Sequence, residues 1–164
     1  SGAGKNLTES SHYVNANENV SLYKLNQHQH IPEIFNKLVS WNTNAKPIQF
    51  STSLIPVNRG IFVSTYAKLA EGITFSDVVA AYHQTYDDKY FVRVLNDGLL
   101  PDLHSVVGTN FTDIGLGYNE LTHTLTVVTV IDNLVKGAAG QAIQNMNHFF
   151  GFDEKAGLDL VPIL

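Results

Sequence analysis

No cysteine occurs in the 164 residues, which excludes a disulfide framework, a thiolate metal site and a cysteine nucleophile supplied by this chain. Basic residues are few as well: 10 Lys plus Arg stand against 15 Asp plus Glu, a formal net charge of -5, and no basic run is formed. With no stripe to follow a phosphate backbone, nucleic acid is not an expected partner. No apolar stretch approaches the roughly 20 residues of a membrane-crossing helix. Residues 1–19, SGAGKNLTESSHYVNANEN, are small and polar where a signal peptide is apolar. The expectation is a soluble, unsecreted, cytoplasmic protein with no membrane partner. Internal repeats and low-complexity tracts are missing too, as is any strand followed by GxGxxG and a helix, so a complete dinucleotide-binding domain is not expected. What remains is an ordinary globular composition, 44% hydrophobic and 15% charged, at a length that suits one core.

Periodicity orders the chain. Residues 1–19 read as a flexible lead-in. Gly2, Gly4 and Lys5 look like a phosphate loop only superficially, because the GxxxxGK[ST] spacing is not met. Strands are expected at 20–25, 49–55, 60–69, 90–95, 105–110 and 121–131, from β-branched and aromatic enrichment between turn residues. Gly115-Leu116-Gly117 lacks a third fingerprint glycine and is read as a loop between strands. Helices are expected from Ile31-Pro32-Glu33 to Trp41, with Ile34, Phe35, Leu38 and Trp41 as the buried stripe, and over 75–86. A last helix runs from Asp132-Asn133 to Phe150, with Gly151 as its C-cap. Its Gly137 and Gly140 are costly unless another backbone approaches closely. Strands in runs with interspersed helices predict an α+β fold, a mixed and mainly antiparallel sheet covered on one face by helices.

The densest cluster of reactive groups is His28-Gln29-His30-Ile31-Pro32-Glu33. Imidazoles at i and i+2 fall on one side of an extended segment, and Glu33, in the first turn of the next helix, can reach back. An imidazole with an orienting carboxylate is a natural general acid/base. The same set could hold zinc or iron, or it could be a solvated surface loop. Arg59, in the Pro56-Val57-Asn58-Arg59-Gly60 turn, presents a planar fork for a carboxylate or phosphate, or is a surface arginine. Asp132-Asn133 is most simply a helix N-cap.

Several stretches together resemble the N-acetyl-gamma-glutamyl-phosphate reductases of arginine biosynthesis: SGAGK, HQHIPEI, PVNRGI, GTNFTDIG, IDNLVKGAAGQAIQNMN and FGFDEKAGL, in the family's order and across nearly the whole chain. The resemblance implies a two-domain NADP-dependent enzyme with a glyceraldehyde-3-phosphate dehydrogenase-like C-terminal domain. Its N-terminal Rossmann domain binds most of the NADP and carries the cysteine nucleophile. This chain then corresponds to the substrate and dimerisation part, inactive alone, whose partners are a small-molecule substrate, its own Rossmann domain and further copies of itself. By the same resemblance His28 is the acid/base residue, His30, Glu33 and Tyr23 orient it or contact substrate, Arg59 holds a substrate phosphate or carboxylate, and Asn133 contacts the nicotinamide. Residues 20–131 form the substrate and dimerisation domain, and 132–164 the helix and tail that return to the nucleotide-binding domain, leaving the face of Leu134, Ala138, Ala142 and Met146 partly uncovered in the chain alone. The rivals are a small metal-dependent enzyme using His28, His30 and Glu33, and a stand-alone binding or dimerisation module.

Overall fold

A computed structural model describes residues 1, 6, 8–96 and 98–163. The glycine-rich residues Gly2, Gly4 and Lys5, and with them most of the SGAGK motif, lie outside the described residues. The chain divides into two compact units, one spanning Ala3–Val57 and the other Asn58–Leu164 together with Ser1–Gly2.

In the first unit the lead-in holds a 3-10 turn, Glu9–Ser11, and a one-turn helix α1, Tyr13–Ala16. Strands β1, Ser21–Tyr23, and β2, Thr52–Leu54, pair antiparallel with Tyr23 opposite Thr52. Helix α2, His30–Trp41, starts one residue earlier than the sequence predicts, with Pro32 in the first turn where its missing N–H costs nothing. Ile34, Phe35 and Leu38 are half-buried, but Trp41 is 73% exposed and lies under the Lys37 ammonium instead of in a core. A two-stranded ribbon offers too little apolar surface to cover the whole stripe.

The second unit is built on a four-stranded sheet in the order β3-β6-β5-β4, from β3 Ile61–Lys68, β4 Val92–Val94, β5 Thr112–Asn119 and β6 Thr124–Ile131. The β3/β6 and β5/β6 pairs are antiparallel and β4/β5 is parallel, so the sheet is mixed and mainly antiparallel, as predicted. Register separates the faces. On one, Val63, Thr129 and Ile114 share a row, as do Ala67, Leu125 and Tyr118. There Phe75, at the start of helix α3, Phe75–Tyr86, stacks on Tyr118 with centroids 5.8 Å apart. On the other face, Val130 with Asp113 and Val128 with Gly115 are covered by the loop over 99–106. Arg93 on β4 clamps that loop, holding Asp113 through two nitrogens at 2.6 and 2.8 Å while donating to the Ser105 carbonyl. β3 is exposed throughout, with Tyr66 at 68%.

Two sequence readings are corrected by this sheet. Residues 105–110 are not a strand: a 3-10 turn, Leu103–Ser105, leads into tight turns, and Gly108 at φ 87° takes a conformation no strand contains. Gly115-Leu116-Gly117, in turn, lies inside β5 and not in a loop. Gly115 is needed there because a Cβ would meet the Leu99 carbonyl at 2.9 Å and the Pro101 ring at 2.6 Å, the mark of a chain crossing closely over the strand.

The last helix is continuous from 135 to 150 but not α-helical throughout. A π-helical turn, Val135–Ala139, precedes helix α4, Gly140–Phe150, which ends at Gly151 in the left-handed conformation expected of a C-cap. The crowding predicted for the glycines falls on Gly140 alone and comes from its own unit: a Cβ would run into the Asn110 carboxamide and meet the Val135 carbonyl at 2.8 Å. At Gly137 the nearest such contact is an ordinary 3.5 Å. Gly140→Ala is therefore expected to destabilise the protein by about 1–3 kcal/mol in urea unfolding although alanine favours helix, and Gly137→Ala is expected to cost less. Past the helix the chain folds back: Leu158 is 2% exposed, the buried Asn147 side chain donates to the Glu154 and Ala156 carbonyls, and the Ile163 N–H reaches the Val107 carbonyl. Leu134, Ala138, Ala142 and Met146 are all exposed, and Phe149 is 81% exposed. Among the described residues no helix is long and apolar enough to cross a membrane.

Candidate functional site

The histidine cluster lies at the entrance to α2. Gln29 is already right-handed helical, at φ -57° and ψ -25°, so the segment turns where an extended one was expected. The turn nevertheless brings the imidazoles together, edge to face, with centroids 4.9 Å apart. Tyr23 at the end of β1 and Phe50 just before β2 flank His28 at 5.9 and 5.6 Å. Half enclosed in this way, His28 accepts the backbone N–H of His30 on Nδ1 at 3.3 Å. An acceptor nitrogen must carry a lone pair, so in the neutral ring the proton is on Nε2. The loop before it is held by unusual backbone: Lys24 and Asn26 have φ 47° and 55°, and the Asn26 carboxamide oxygen accepts from Gln49 at 2.6 Å. Asparagine tolerates that conformation and lysine does so rarely, which makes Lys24 a strained position that pattern reading does not detect.

Glu33 does not reach back. It lines a shallow groove on α2 with His30, Ile34, Lys37, Leu38 and Trp41, and among the described residues no hydrogen bond joins it to either imidazole. Nor do any three His, Asp or Glu side chains come together as a metal site among the described residues, which removes the geometric basis of the metal rival.

In the second unit the other candidates form a separate cluster around Asp132, which is fully buried. Its Oδ1 accepts the N–H groups of Leu134 and Val135 at 2.7 and 2.9 Å, and its Oδ2 accepts Gly108 N–H at 2.6 Å and Arg59 Nη2 at 2.8 Å. Burial pushes the Asp132 carboxyl up, but the three N–H groups and the guanidinium outweigh it and hold it below its ordinary value. Asp132 is thus the cap of the turn, and Asn133 is released to look elsewhere. The Asn133 side-chain Oδ1 accepts Gly60 N–H at 2.7 Å, and its Nδ2 donates to Ser1 Oγ at 3.0 Å; Ser1 Oγ in turn donates to the Asn58 backbone carbonyl. Arg59 therefore sits with one nitrogen on Asp132 and with its buried Nε lacking a hydrogen-bond partner among the described residues. The sequence named Arg59 and Asn133 as candidates but missed the part of Asp132 beyond a cap, and also Gly108, whose N–H joins from 24 residues away.

A mixed, mainly antiparallel sheet with helix α3 packed on one face is an α+β architecture. The solved structure of a probable aspartate-semialdehyde dehydrogenase from Pseudomonas aeruginosa shares it, with a TM-score of 0.60 over 76% of this chain and 37% of that one, at 20% identity. Residues 1–133 match the family described as semialdehyde dehydrogenase, dimerisation domain, and the chain belongs to that family. Among curated relatives, the N-acetyl-gamma-glutamyl-phosphate reductase of Lactococcus lactis subsp. lactis is 57% identical over 164 residues, 100% of this chain and 48% of the relative. That of Streptococcus thermophilus is 55% identical over 161 residues, 98% of this chain and 47% of the relative. The chain spans about half the length of the curated relatives it matches.

Proposed function

We propose that this chain is the substrate and dimerisation part of an NADP-dependent reductase that converts N-acetyl-glutamyl 5-phosphate to N-acetyl-glutamate 5-semialdehyde and phosphate. The relatives just named support the reaction class. The observation that carries the reading is the set of His28: with Nδ1 taken by the His30 N–H, Nε2 is the nitrogen left to present an N–H to substrate.

The reaction needs a cysteine from elsewhere in the protein, because this chain has none. Its thiolate attacks the acyl phosphate carbon, the C–O bond to phosphate breaks, and an acyl thioester remains. Reduction of that thioester gives a thiohemiacetal, which collapses to the aldehyde and regenerates the thiol. With its proton on Nε2, His28 is set as the N–H donor to the oxygen on which charge develops during reduction. Tyr23 and Phe50 restrict water around the ring, and His30 sets its orientation.

Asn133 is the residue that would hold the nicotinamide. Its carboxamide keeps one N–H and one lone pair beyond the bonds to Ser1 and Gly60, the complement of another primary carboxamide, and so it fits the group. When bound, the reduced cofactor supplies hydride. The open face around Leu134, Ala138, Ala142 and Met146 is where a nucleotide-binding domain packs, and the exposed strand β3, with Phe62 and Tyr66, is where a second copy does.

The test is acyl-phosphate-dependent oxidation of NADPH by the whole reductase. Asn133→Ala is expected to raise the KM for NADPH roughly tenfold, the worth of about one good hydrogen bond, with the KM for the acyl phosphate little changed. Absence of acyl-phosphate reduction by the whole protein overturns the reading.

A further inference from the structure

The buried carboxylate of Asp132 is more elaborate than capping a turn requires. Two backbone N–H groups on Oδ1 complete a cap, yet Oδ2 is equally saturated, by Gly108 N–H and the Arg59 guanidinium. The recipients are not random. Leu134 and Val135 immediately follow Asn133, and Arg59 immediately precedes Gly60, whose N–H fixes the Asn133 side-chain Oδ1 at 2.7 Å. One carboxylate therefore grips the chain on both sides of a single carboxamide: the turn that carries Asn133 and the loop that sets its rotamer. Gly60 depends on that grip, because at φ 116° it lies against the Leu103 side chain with no room for a Cβ and no side chain of its own to anchor it.

We propose that Asp132 is a positioning residue, which through its ion pair with Arg59 presets the carboxamide of Asn133 for the nicotinamide. The inference rests on the reading of Asn133 given above. It also assigns Arg59 a different part from anion binding. A guanidinium whose Nη2 is held at 2.8 Å by a buried carboxylate is already paired with a negative charge, so an incoming phosphate meets a largely neutral pair. Arg59 is here a brace between two loops.

The experiment is a double-mutant cycle in the whole reductase, with kcat and the KM for each substrate measured for Arg59→Met, Asn133→Ala and the combination. Arg59→Met is expected to raise the KM for NADPH roughly fivefold to tenfold, about the loss of one oriented hydrogen bond, and to leave the KM for the acyl phosphate unchanged. In the double variant the KM for NADPH is expected to match that of Asn133→Ala, because the brace acts only through that side chain. Asp132→Asn, close in shape, is expected to follow Arg59→Met in nucleotide KM; if it does not fold, the Arg59 cycle decides alone. A fall in melting temperature with unchanged nucleotide KM would make the pair purely structural and overturn the proposal. So would fully additive effects, or a rise confined to the acyl-phosphate KM, which would make Arg59 a direct substrate ligand. If Asn133→Ala itself leaves nucleotide KM unchanged, the reading of Asn133 fails and the inference falls with it.

Discussion

Replacing His28 by alanine in the whole reductase is expected to lower kcat by about 10²–10⁴-fold, the range for removing a positioned general acid/base. The KM for NADPH is expected to change little, because the imidazole moves protons and does not hold the nucleotide. His30→Ala makes the informative comparison. What His30 gives His28 is a backbone N–H at 3.3 Å, which alanine retains, together with an edge-on ring contact. Its expected loss is within about tenfold, as befits one contact among the Tyr23, Phe50 and His30 rings around His28. Steady-state kinetics on the two variants side by side separate a working imidazole from a packed one: equal and small losses would make His28 structural.

The second large effect is on stability. Asp132→Ala is expected to remove about 3–5 kcal/mol of unfolding free energy, because it strands the Arg59 guanidinium and three backbone N–H groups together. Arg59 keeps 29% of its side chain in water, which places the expectation toward the lower end of that range. The loss is predicted to depend on pH with a definite sign. Asp132 is held below its ordinary value in the folded state, so its contribution is fully present above the unfolded carboxyl pKa of about 3.9 and disappears as pH falls through the folded value. Urea unfolding of the parent and the variant is therefore expected to diverge most near neutrality and to converge in acid. A gap that stays constant across pH would show that the charge of Asp132 contributes nothing.

Much of the sheet and helix pattern could be read before any coordinates. Helix α3 has the bounds its periodicity gives, β3 and β6 stand where β-branched residues are dense, and Gly151 caps α4. What could not be read depends on distant partners. Gly115 and Gly117 argue locally for a loop, and only the crossing of the chain at Leu99 to Pro101 explains a glycine inside a strand. Val106 to Asn110 have the composition of a strand, but Gly108 closes a turn whose N–H belongs to Asp132. The π-helical turn is equally invisible in periodicity: its i+5 bonds run from Gly137 N–H to the Asp132 carbonyl and from Ala139 N–H to the Leu134 carbonyl, the first of them starting at the residue whose side chain caps the same turn. At the candidate site the structure brings His28 and His30 together, sets Arg59 on Asp132 and sets Asn133 against Gly60, while Glu33 stands apart from both imidazoles. The connections around Arg59 and Asn133 were not legible in the sequence, because Ser1, Gly60 and Gly108 contribute a hydroxyl and two backbone N–H groups that a sequence pattern does not display.

The strand order carries a consequence for how the unit assembles. β5 and β6 are joined by the short turn between Asn119 and Thr124, so their hairpin closes a loop of few residues and can form within microseconds. β3 pairs with β6 across the stretch from residue 68 to residue 124, and its far end joins Ile61 to Ile131. Closing so long a loop costs entropy before any contact compensates it, so β3 is the late arrival. Until it docks, β6 offers a bare edge of Val, Thr and Leu, and β3 remains a free segment carrying Phe62 and Tyr66. The interval between hairpin and completed sheet is when this chain is most open to pairing with the wrong strand.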